Sequence, residues 1–295
     1  MRARRCAVDA IGAVICRRDA GNVHHMTTLV SFNINGIRSR AHQLRAIAAQ
    51  LDPDILGLQE TKVADEDFPR AVVAELGYTA EIHGQKGHYG VALLGKQPPQ
   101  APTKGLPGDD AQAQRRLIAG TFALAEGTPL VVLNAYFPQG ENRDHPVKFP
   151  AKQRFYADLL DCLRTRFTPD QALVVMGDMN VAPDERDVGL GADNARRWLR
   201  TGKCCFLPEE RAWLQALLDW GLYDSFRVLH PETVAFSWFD YRSRGFERTP
   251  RRGLRIDLIL VTAPLVARLR DAGIADHLRA LEQPSDHCPV WVRLA

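Results

Sequence analysis

The sequence lacks any long hydrophobic run and, beyond its first 25 residues, any excess of one charge. No apolar stretch approaches the roughly 20 residues that cross a bilayer, so we expect no membrane-spanning segment. Residues 1–25 contain five arginines and two aspartates, which leaves 33 of the 38 basic and 33 of the 35 acidic residues in the remainder. Any nucleic-acid binding must therefore depend on a local basic surface, because the remainder has no net charge.

The six cysteines lack the spacing of a metal-binding or redox motif. No CxxC and no Cys/His ligand pattern occurs among them, at Cys6, Cys16, Cys162, Cys204, Cys205 and Cys288. We therefore expect free thiols and a cytoplasmic protein, since a reducing compartment keeps thiols unpaired.

Residues 1–25 lack the features of a signal peptide. Asp9 interrupts the apolar stretch, and Arg17 and Arg18 follow it where a cleavage site would need small residues. We expect this segment to be a disordered extension, or no part of the native protein, with the functional start at Met26, because strand-like sequence begins directly after it. No Pro/Gly/Ser-rich linker divides residues 26–295, so we predict a single catalytic domain there.

From residue 29 onward the chain is a series of short apolar runs that each end near polar residues. Their lengths and β-branched content favour buried strands at 29–35, 54–60, 89–95, 116–124, 130–136, 172–180, 255–261 and 289–294. Apolar spacings of three and four predict helices around residues 44–51, 155–163 and 213–218. Many strands with interspersed helices predict an α/β sandwich of two packed sheets covered by helices.

The polar residues at the strand ends are carboxylates, amides and one histidine. They are Asn33, Asn35, Gln59, Glu60, Asn134, Tyr136, Asp178, Asn180, Asp257, Asp286 and His287. A single Asp or Asn at a strand end is usually a turn former. Five strand ends with this chemistry instead indicate a site for a hard cation on a rigid scaffold, because positions i and i+2 of a strand point to the same face.

These residue types match the requirements of phosphodiester hydrolysis. We expect Glu60 to bind Mg²⁺, with Asn35 and Asp286 nearby directly or through water. Such a cation neutralises the charge that develops on the phosphate oxygens.

The remaining strand-end residues have predicted catalytic roles. Asp178 would activate the attacking water, with Asn180 fixing its position. His287 would donate a hydrogen bond to a phosphate oxygen, with Asp257 setting its tautomer through the other ring nitrogen. Tyr136 would donate to the phosphate or assist the departing oxygen.

Long motifs make the chain resemble the exonuclease III family of apurinic/apyrimidinic endonucleases. The resemblance extends from about Val30 to Trp291 and rests on SFNINGIR (31–38), GLQETK (57–62), HGQKGHYGVALL (83–94), PGDDAQAQRR (107–116), YFPQGENRDHPVKFPAK (136–152), MGDMN (176–180), RRWLRTGKCCFLPEER (196–211), FSWFDYRSRGF (236–246), GLRIDL (253–258) and PSDHCPVW (284–291). Short motifs such as GDMN would indicate only the wider endonuclease/exonuclease/phosphatase superfamily, whereas the long ones indicate the bacterial exonuclease III branch.

The resemblance implies a four-layer α/β sandwich, with two packed mixed β-sheets flanked by helices. It implies a DNA repair nuclease that uses Mg²⁺, with Mn²⁺ as a substitute. Its expected substrate is double-stranded DNA, cleaved 5′ to abasic sites or shortened from 3′ ends by exonuclease and end-cleaning activity. We expect a monomer without an obligate protein partner, in the bacterial cytoplasm and on the nucleoid when acting on DNA.

The resemblance also implies further site residues. Asn33 would contact phosphate, and Gln139 and Lys148 would lie near the DNA backbone. Trp238 would form a small apolar pocket with Leu254 and Ile256. One branch of the family has Asp where this chain has Asn35, and an amide binds magnesium less tightly, so direct ligation by Asn35 stays open.

Three basic clusters flank the predicted site in the sequence. The first has six arginines between Arg242 and Arg255, the second joins Arg196, Arg197, Arg200 and Lys203 with Trp198, and the third is Arg115 with Arg116. One such cluster is usually a solvated surface. Three beside an acidic centre predict phosphate contacts, among them Arg115, Arg116 and Arg251. Trp238 and Phe239 are either core aromatics or the wall of a pocket for an extruded abasic sugar.

Two alternatives differ in substrate or in activity. A phosphatase or sphingomyelinase-like phosphodiesterase would share the fold without needing a basic track for duplex DNA. A non-catalytic module that binds damaged DNA would lack Asp178, His287 or Glu60, and all three are present. The sequence leaves open the balance of endonuclease and exonuclease activity, the number of metals and the oligomeric state.

Overall fold

The computed structural model describes residues 7–8, 14–15, 26–124 and 126–295. Strands β1 (Ala7–Val8) and β2 (Val14–Ile15) pair antiparallel. The rest of residues 1–25 lies outside the described ranges, so the proposed status of this extension stays a prediction.

Two six-stranded sheets form the centre of the fold. In spatial order the first contains β13 (Leu269–Ile274), β14 (Val290–Leu294), β3 (Thr27–Asn33), β4 (Ile55–Gln59), β6 (Val91–Gly95) and β5 (Thr79–His83). The second contains β11 (Leu222–Asp224), β12 (Asp257–Thr262), β10 (Leu173–Asp178), β9 (Pro129–Tyr136), β8 (Leu117–Ala123) and β7 (Gln100–Lys104). Each sheet is mixed, with one parallel pair, β3–β4 or β9–β10.

Helices pack around the two sheets. They are α1 (Ala41–Leu51), α2 (Arg70–Glu75), α3 (Lys148–Arg166), α4 (Ala192–Arg200), α5 (Pro208–Asp219), α6 (Ser225–Leu229), α7 (Ala263–Val266) and α8 (Asp276–Arg279). The three helices predicted from apolar spacing correspond to α1, α3 and α5. No helix in the described ranges is long and apolar enough to span a bilayer.

The core has three apolar layers, which confirms the four-layer sandwich. Residues such as Val174, Met176 and Ile259 pack between the two sheets. The outer face of one sheet packs on α3 and α5, and that of the other packs on α1 and α2. Because the central strands are buried on both faces, they read in sequence as continuous apolar runs.

All eight predicted strands are present in the two six-stranded sheets, and the four other strands of these sheets were missed. The missed strands, β5, β7, β11 and β13, are the four edge strands of the two sheets. Edge strands have solvent on one side and need no continuous apolar run; all five residues of β7 are exposed. Their sequences therefore lack the continuous apolar runs from which the inner strands were predicted.

Candidate active site

The catalytic candidates meet where strands of both sheets end. Asp178, the last residue of β10, lies beside Tyr136 of parallel β9 and opposite Asp257 of antiparallel β12. Asn33 ends β3 in the other sheet. The sandwich thus brings side chains from both sheets to one edge, as the strand-end pattern predicted.

The Asn33 amide joins the two sheets at this edge. Its Nδ2 donates to Glu60 Oε1 and to Asp178 Oδ2, both at 3.0 Å, and its Oδ1 accepts from the Asn35 main-chain N–H at 3.1 Å. The side chain is fully buried. In the protein alone both polar atoms of the amide bind protein groups and orient the two carboxylates, and the phosphate contact of Asn33 stays a prediction.

His287 is held by a chain of buried hydrogen bonds. Its Nδ1 lies 2.8 Å from Asp257 Oδ2, and Ser237 Oγ donates to the same carboxylate oxygen at 2.7 Å. The Ser237 oxygen in turn accepts from the main-chain N–H groups of Ile256 and Asp257. With Nδ1 engaged, Nε2 faces Asp178 Oδ2 at 3.7 Å.

The charges of the histidine and the two aspartates are strongly coupled. Burial alone would lower the pKa of His287, but the carboxylates of Asp257 and Asp178 raise it to about 10. Burial raises the pKa of Asp178 to about 7, against the lowering effect of His287. The imidazole is therefore a cation at neutral pH, beside a carboxyl group poised to exchange a proton.

Asp178 and Asn180 form a tight turn after β10. The main-chain N–H of Asn180 donates to Asp178 Oδ1 at 3.0 Å, and its side-chain Nδ2 donates to the Phe137 carbonyl at 3.0 Å. Asn180 has a left-handed backbone, with φ of +53°. These contacts fix the amide beside Asp178, where a water position is predicted.

Tyr136 is a neutral hydrogen-bond donor in this environment. Burial, together with Glu60 and Asp178, raises the pKa of Tyr136 well above its usual range. The Arg116 guanidinium lies 4.7 Å from the Tyr136 ring centre and 4.2 Å from that of Tyr89. The phenol is thus held between a cation on its ring and anions at its hydroxyl end.

Two of the three predicted metal ligands contact one cationic group. Lys62 Nζ lies 2.5 Å from Asn35 Oδ1 and 2.8 Å from Glu60 Oε2. Asn35 Nδ2 donates to Asp286 Oδ1 at 2.8 Å. Burial alone would raise the pKa of Glu60, but Lys62 and Asn33 hold this pKa below its usual value. Oxygen atoms that converge on an ammonium in this way also suit a hard divalent cation.

A second group of possible ligands lies deeper in the site. Oxygen and nitrogen atoms of Asp178, Asp257 and His287 lie within 4.8 Å of one another. The strand-end pattern predicts that Asp178 activates water, that His287 contacts the phosphate and that Asp257 orients the histidine, and it predicts the metal at Glu60. The Asp257–His287 hydrogen bond favours that assignment, because it already uses the facing atoms of both side chains.

A cavity of about 380 Å³ opens above these groups. Its wall contains Trp238 and Ile256, as predicted, together with Gln139 and Cys205. Trp238 Nε1 donates to Asp286 Oδ2 at 3.0 Å, which orients the indole.

Two residues of the predicted apolar pocket lie elsewhere. Phe239 is buried between Phe236 and Phe246, on the opposite side of the chain from Trp238, because adjacent residues of an extended segment face opposite ways. Leu254 is fully buried behind the wall. Leu254 packs with Trp238, whereas Phe239 lines a separate cavity with Arg251, and neither residue lines the catalytic cavity.

Basic residues lie at the cavity, but not all of those predicted. Lys203 and Arg242 line it, beside Trp198, whose ring lies 3.9 Å from Lys203 Nζ. Arg251 instead forms an ion pair with Asp276 outside the lining of this cavity. Its phosphate contact stays a prediction, and its position away from this cavity favours a smaller contribution than that of Lys203 or Arg242.

The other predicted DNA contacts differ in exposure. Arg116 is only 8% exposed and donates to the Tyr136 carbonyl, so it positions the tyrosines, and its phosphate contact stays a prediction. Lys148 is exposed and pairs with Glu141, whereas Arg115 is half-buried. Gln139 and Lys148 line a smaller, neighbouring cavity. Tyr136 and Gln139 line both cavities.

Two residues that organise this site, Lys62 and Ser237, were not predicted from the sequence. Lys62 lies in the GLQETK motif, where a lysine three positions after a buried strand was a usable signal. Ser237 lies within the aromatic FSWF segment, and only its buried contact with Asp257 reveals its role. Left-handed backbone at Asn35, Glu60 and Lys62 further marks the site, because such conformations cluster where function requires them.

Comparison with known proteins identifies the family. The profile of the endonuclease/exonuclease/phosphatase family matches residues 30–287. The chain therefore belongs to this family of metal-dependent enzymes.

Individual relatives define the branch. The chain is 55% identical to exodeoxyribonuclease III of Haemophilus influenzae over 263 residues, which cover 89% of this chain and 97% of that protein. This similarity shows a nuclease, which is a hydrolase, and confirms the resemblance to exonuclease III.

Solved structures agree with the fold. A 3′ phosphatase from Neisseria bound to a product DNA hairpin superposes with a TM-score of 0.82 at 36% identity, covering 91% of this chain and 99% of that one. An AP endonuclease from Archaeoglobus fulgidus superposes with a TM-score of 0.82 at 32% identity, with the same coverage of both chains.

Proposed function

We propose that the chain is a DNA repair nuclease that hydrolyses phosphodiester bonds 5′ to abasic sites in duplex DNA. We further propose 3′→5′ exonuclease activity and removal of blocking groups from 3′ ends. The observation that carries this proposal is the buried Asp178 facing a cationic His287 at the base of a cavity with basic residues on its wall. The names of the relatives, which include an exodeoxyribonuclease, a 3′ phosphatase and an AP endonuclease, support the substrate class.

The first step is attack of water on phosphorus. Asp178 in its ionised form accepts a proton from the water, and Asn180 holds the water in line with the scissile bond. The new P–O bond forms as the P–O bond to the 3′ oxygen breaks. A pKa near 7 suits a general base at neutral pH, because both protonation states are accessible.

The developing negative charge is stabilised by His287 and Tyr136. The imidazolium donates from Nε2 to a non-bridging oxygen, while Asp257 fixes its tautomer through Nδ1. Tyr136 donates its hydroxyl hydrogen to the phosphate or to the departing oxygen. Neither group needs to move far, since hydrogen bonds and packing hold both in place.

Glu60 would hold Mg²⁺, with Asn35 and Asp286 as further oxygen donors directly or through water, and Mn²⁺ would substitute. When bound, the cation would neutralise charge on the phosphate oxygens. Lys62 would keep the Glu60 and Asn35 oxygens together, which maintains the geometry of this donor set.

DNA would bind through its backbone. Lys203, Arg242 and Arg115 would contact phosphates, with Gln139 and Lys148 on the neighbouring strand segment. Trp238 and Ile256 would enclose an extruded abasic sugar, and a nucleotide with its base would be excluded by size. We expect low sequence specificity, because no base-reading motif occurs.

We further propose that residues 26–295 act as a single catalytic domain and as a monomer without an obligate protein partner. The proposed location is the bacterial cytoplasm, on the nucleoid when the enzyme acts on DNA. Size-exclusion chromatography with light scattering tests the monomer, and a dimer mass would contradict it.

One assay tests the function. The protein is incubated with a duplex that carries one abasic site, an intact recessed duplex and a duplex with a 3′-phosphate, each with Mg²⁺ and then with EDTA. We expect metal-dependent cleavage of all three, and their relative rates give the balance of activities. Tight binding without cleavage would identify a damage-binding module, and hydrolysis of an inositol phosphate in a parallel reaction, with none of the three duplexes cleaved, would identify a phosphatase.

A further inference from the structure

A fully buried ion pair lies behind the wall of the catalytic cavity. Lys152 on α3 and Glu210 on α5 are both 0% exposed, and Lys152 Nζ lies 2.5 Å from Glu210 Oε1. None of the roles described above uses either residue. Stability alone does not explain a buried ion pair, because apolar side chains of similar volume often stabilise a protein as much or more.

Both partners of the pair bind the main chain of the cavity. Lys152 Nζ donates to the Asn180 carbonyl at 2.8 Å and to the Gln139 carbonyl at 3.2 Å. Glu210 Oε2 accepts from the main-chain N–H of Cys205 at 2.8 Å. Asn180, Gln139 and Cys205 all line the catalytic cavity.

The pair satisfies polar groups that the strands leave unpaired. Asn180 follows the end of β10, and Gln139 lies in the turn between β9 and α3. An ammonium offers three donors, which match two carbonyls and one carboxylate oxygen. Apolar replacements would leave these buried carbonyls without partners, at the positions where the cavity needs defined geometry.

The three cavity residues also contact one another. Gln139 Nε2 donates to Cys205 Sγ at 3.6 Å, and Cys205 Sγ lies 4.0 Å from Asn180 Oδ1. Cys205 has φ of +105°, a backbone conformation that an L-residue adopts only when its surroundings hold it. A displacement of any one of these residues would therefore move the other two.

We propose that the Lys152–Glu210 pair positions the water-holding and phosphate-facing wall of the active site. Lys152 holds the main chain of Asn180 and Gln139, and Glu210 holds that of Cys205. The two residues act through these three and touch no substrate, so they are positioning residues. The inference rests on the proposed roles of Asn180 and Gln139 in hydrolysis.

The test uses the full chain with Mg²⁺ and the abasic and recessed duplexes. The double variant Lys152→Met/Glu210→Gln removes both charges and keeps the side-chain volumes, and Glu210→Gln alone is the second variant. The matched control is Glu209→Gln on the same helix, which breaks the half-exposed ion pair with Arg143. Far-UV circular dichroism and urea unfolding give the folded fraction of each variant.

We expect kcat per folded molecule to fall at least about tenfold in the double variant, because small misplacements of reacting groups carry effects of this size or larger. KM should change less than about threefold, and Glu209→Gln should match the unmodified protein. This split between kcat and KM would not follow from a purely structural role.

Three results would overturn the inference. They are an unchanged kcat in the folded double variant, a loss that the unfolded fraction fully explains, and failure of both variants to fold. Asn180→Ala in the same assay separates the two proposals. A large loss in Asn180→Ala with none in the double variant defeats only the positioning role, whereas no loss in Asn180→Ala defeats the proposed role of Asn180 itself.

Discussion

At the scale of single residues, the site is a set of charges whose protonation depends on burial. Asp178 and His287 face each other at 3.7 Å, with Asp257 beyond the ring. In water the pKa of an aspartate is about 4 and that of a histidine about 6.5, so at neutral pH the aspartate would be a weak base and the imidazole mostly uncharged. Burial and mutual attraction together produce the pair that the proposed mechanism uses.

Loss of either partner should abolish most turnover without loss of DNA binding. We predict that Asp178→Asn and His287→Ala each lower kcat by at least about 10²-fold, because general-base and electrostatic roles carry effects of that order. Steady-state kinetics and DNA affinity check this. Asp271→Asn, a half-exposed residue paired with Arg293, is the control, and unchanged turnover in either site variant would refute its assigned role.

The pH dependence of kcat should have two limbs. Asp178 acts ionised, so kcat should rise about tenfold per pH unit up to about 7, where the raised pKa of Asp178 lies. His287 acts protonated, so kcat should fall above pH 10, where its raised pKa lies. A pH–rate profile measures both limbs. A flat profile between pH 5 and pH 7 would contradict the assignment of Asp178 as base.

At the scale of elements, the two sheets are joined by buried amides as well as by apolar packing. Asn134 on β9 donates to the Leu58 and Ala92 carbonyls of the opposite sheet, at 3.0 and 2.9 Å, and accepts from Gln59 Nε2 at 2.6 Å. Gly57 leaves the space for this amide, since a Cβ there would lie 2.6 Å from Asn134 Oδ1. The strand-end pattern singled out Asn134, but its contacts show that it links the sheets behind the cavity.

Replacement of this amide should destabilise the sandwich. We predict that Asn134→Leu lowers the free energy of unfolding by at least about 2 kcal/mol, because two carbonyls and one amide lose a buried partner. Urea unfolding measures the change. Thr103→Ala on exposed β7 should stay within about 0.5 kcal/mol of the unmodified protein. A loss below about 1 kcal/mol in Asn134→Leu would show that the sheets do not depend on this link.

Elements differed in how well the sequence predicted them. The eight inner strands were found because burial on both faces demands continuous apolar residues. The four edge strands were missed because each has one solvated side, so its sequence resembles a loop. β13, with its exposed Arg270 and half-buried Asp271, shows how little such a strand depends on apolar residues.

At the scale of the whole molecule, residues 26–295 have no net charge, yet the fold places basic residues next to an acidic centre. Lys203 and Arg242 reach the catalytic cavity from separate segments, while Arg251 faces Asp276. DNA affinity should therefore depend on a few arginines and lysines close to the scissile bond.

The salt dependence of binding should separate these groups. We predict that Arg242→Ala weakens binding evenly across DNA sequences and reduces the slope of log K against log salt by about 0.9, the value for one phosphate contact. Arg251→Ala should reduce the slope less than Arg242→Ala does, because Arg251 pairs with Asp276 away from the catalytic cavity. Fluorescence anisotropy from 50 to 200 mM salt measures both. An equal reduction of the slope in the two variants would show that Arg251 contacts a phosphate as closely as Arg242 does.

The sequence by itself determined the inner strands, the polar residues at their ends and the family, because each of these depends on local pattern or on long motifs. Only the tertiary structure decided which side chains share the cavity. It placed Trp238 in the wall and Phe239 away from it, turned Arg116 onto two tyrosines, and revealed Ser237 and the Lys152–Glu210 pair. The physical reason is that burial, facing direction and charge pairing arise between segments distant in the chain, so no local pattern contains them.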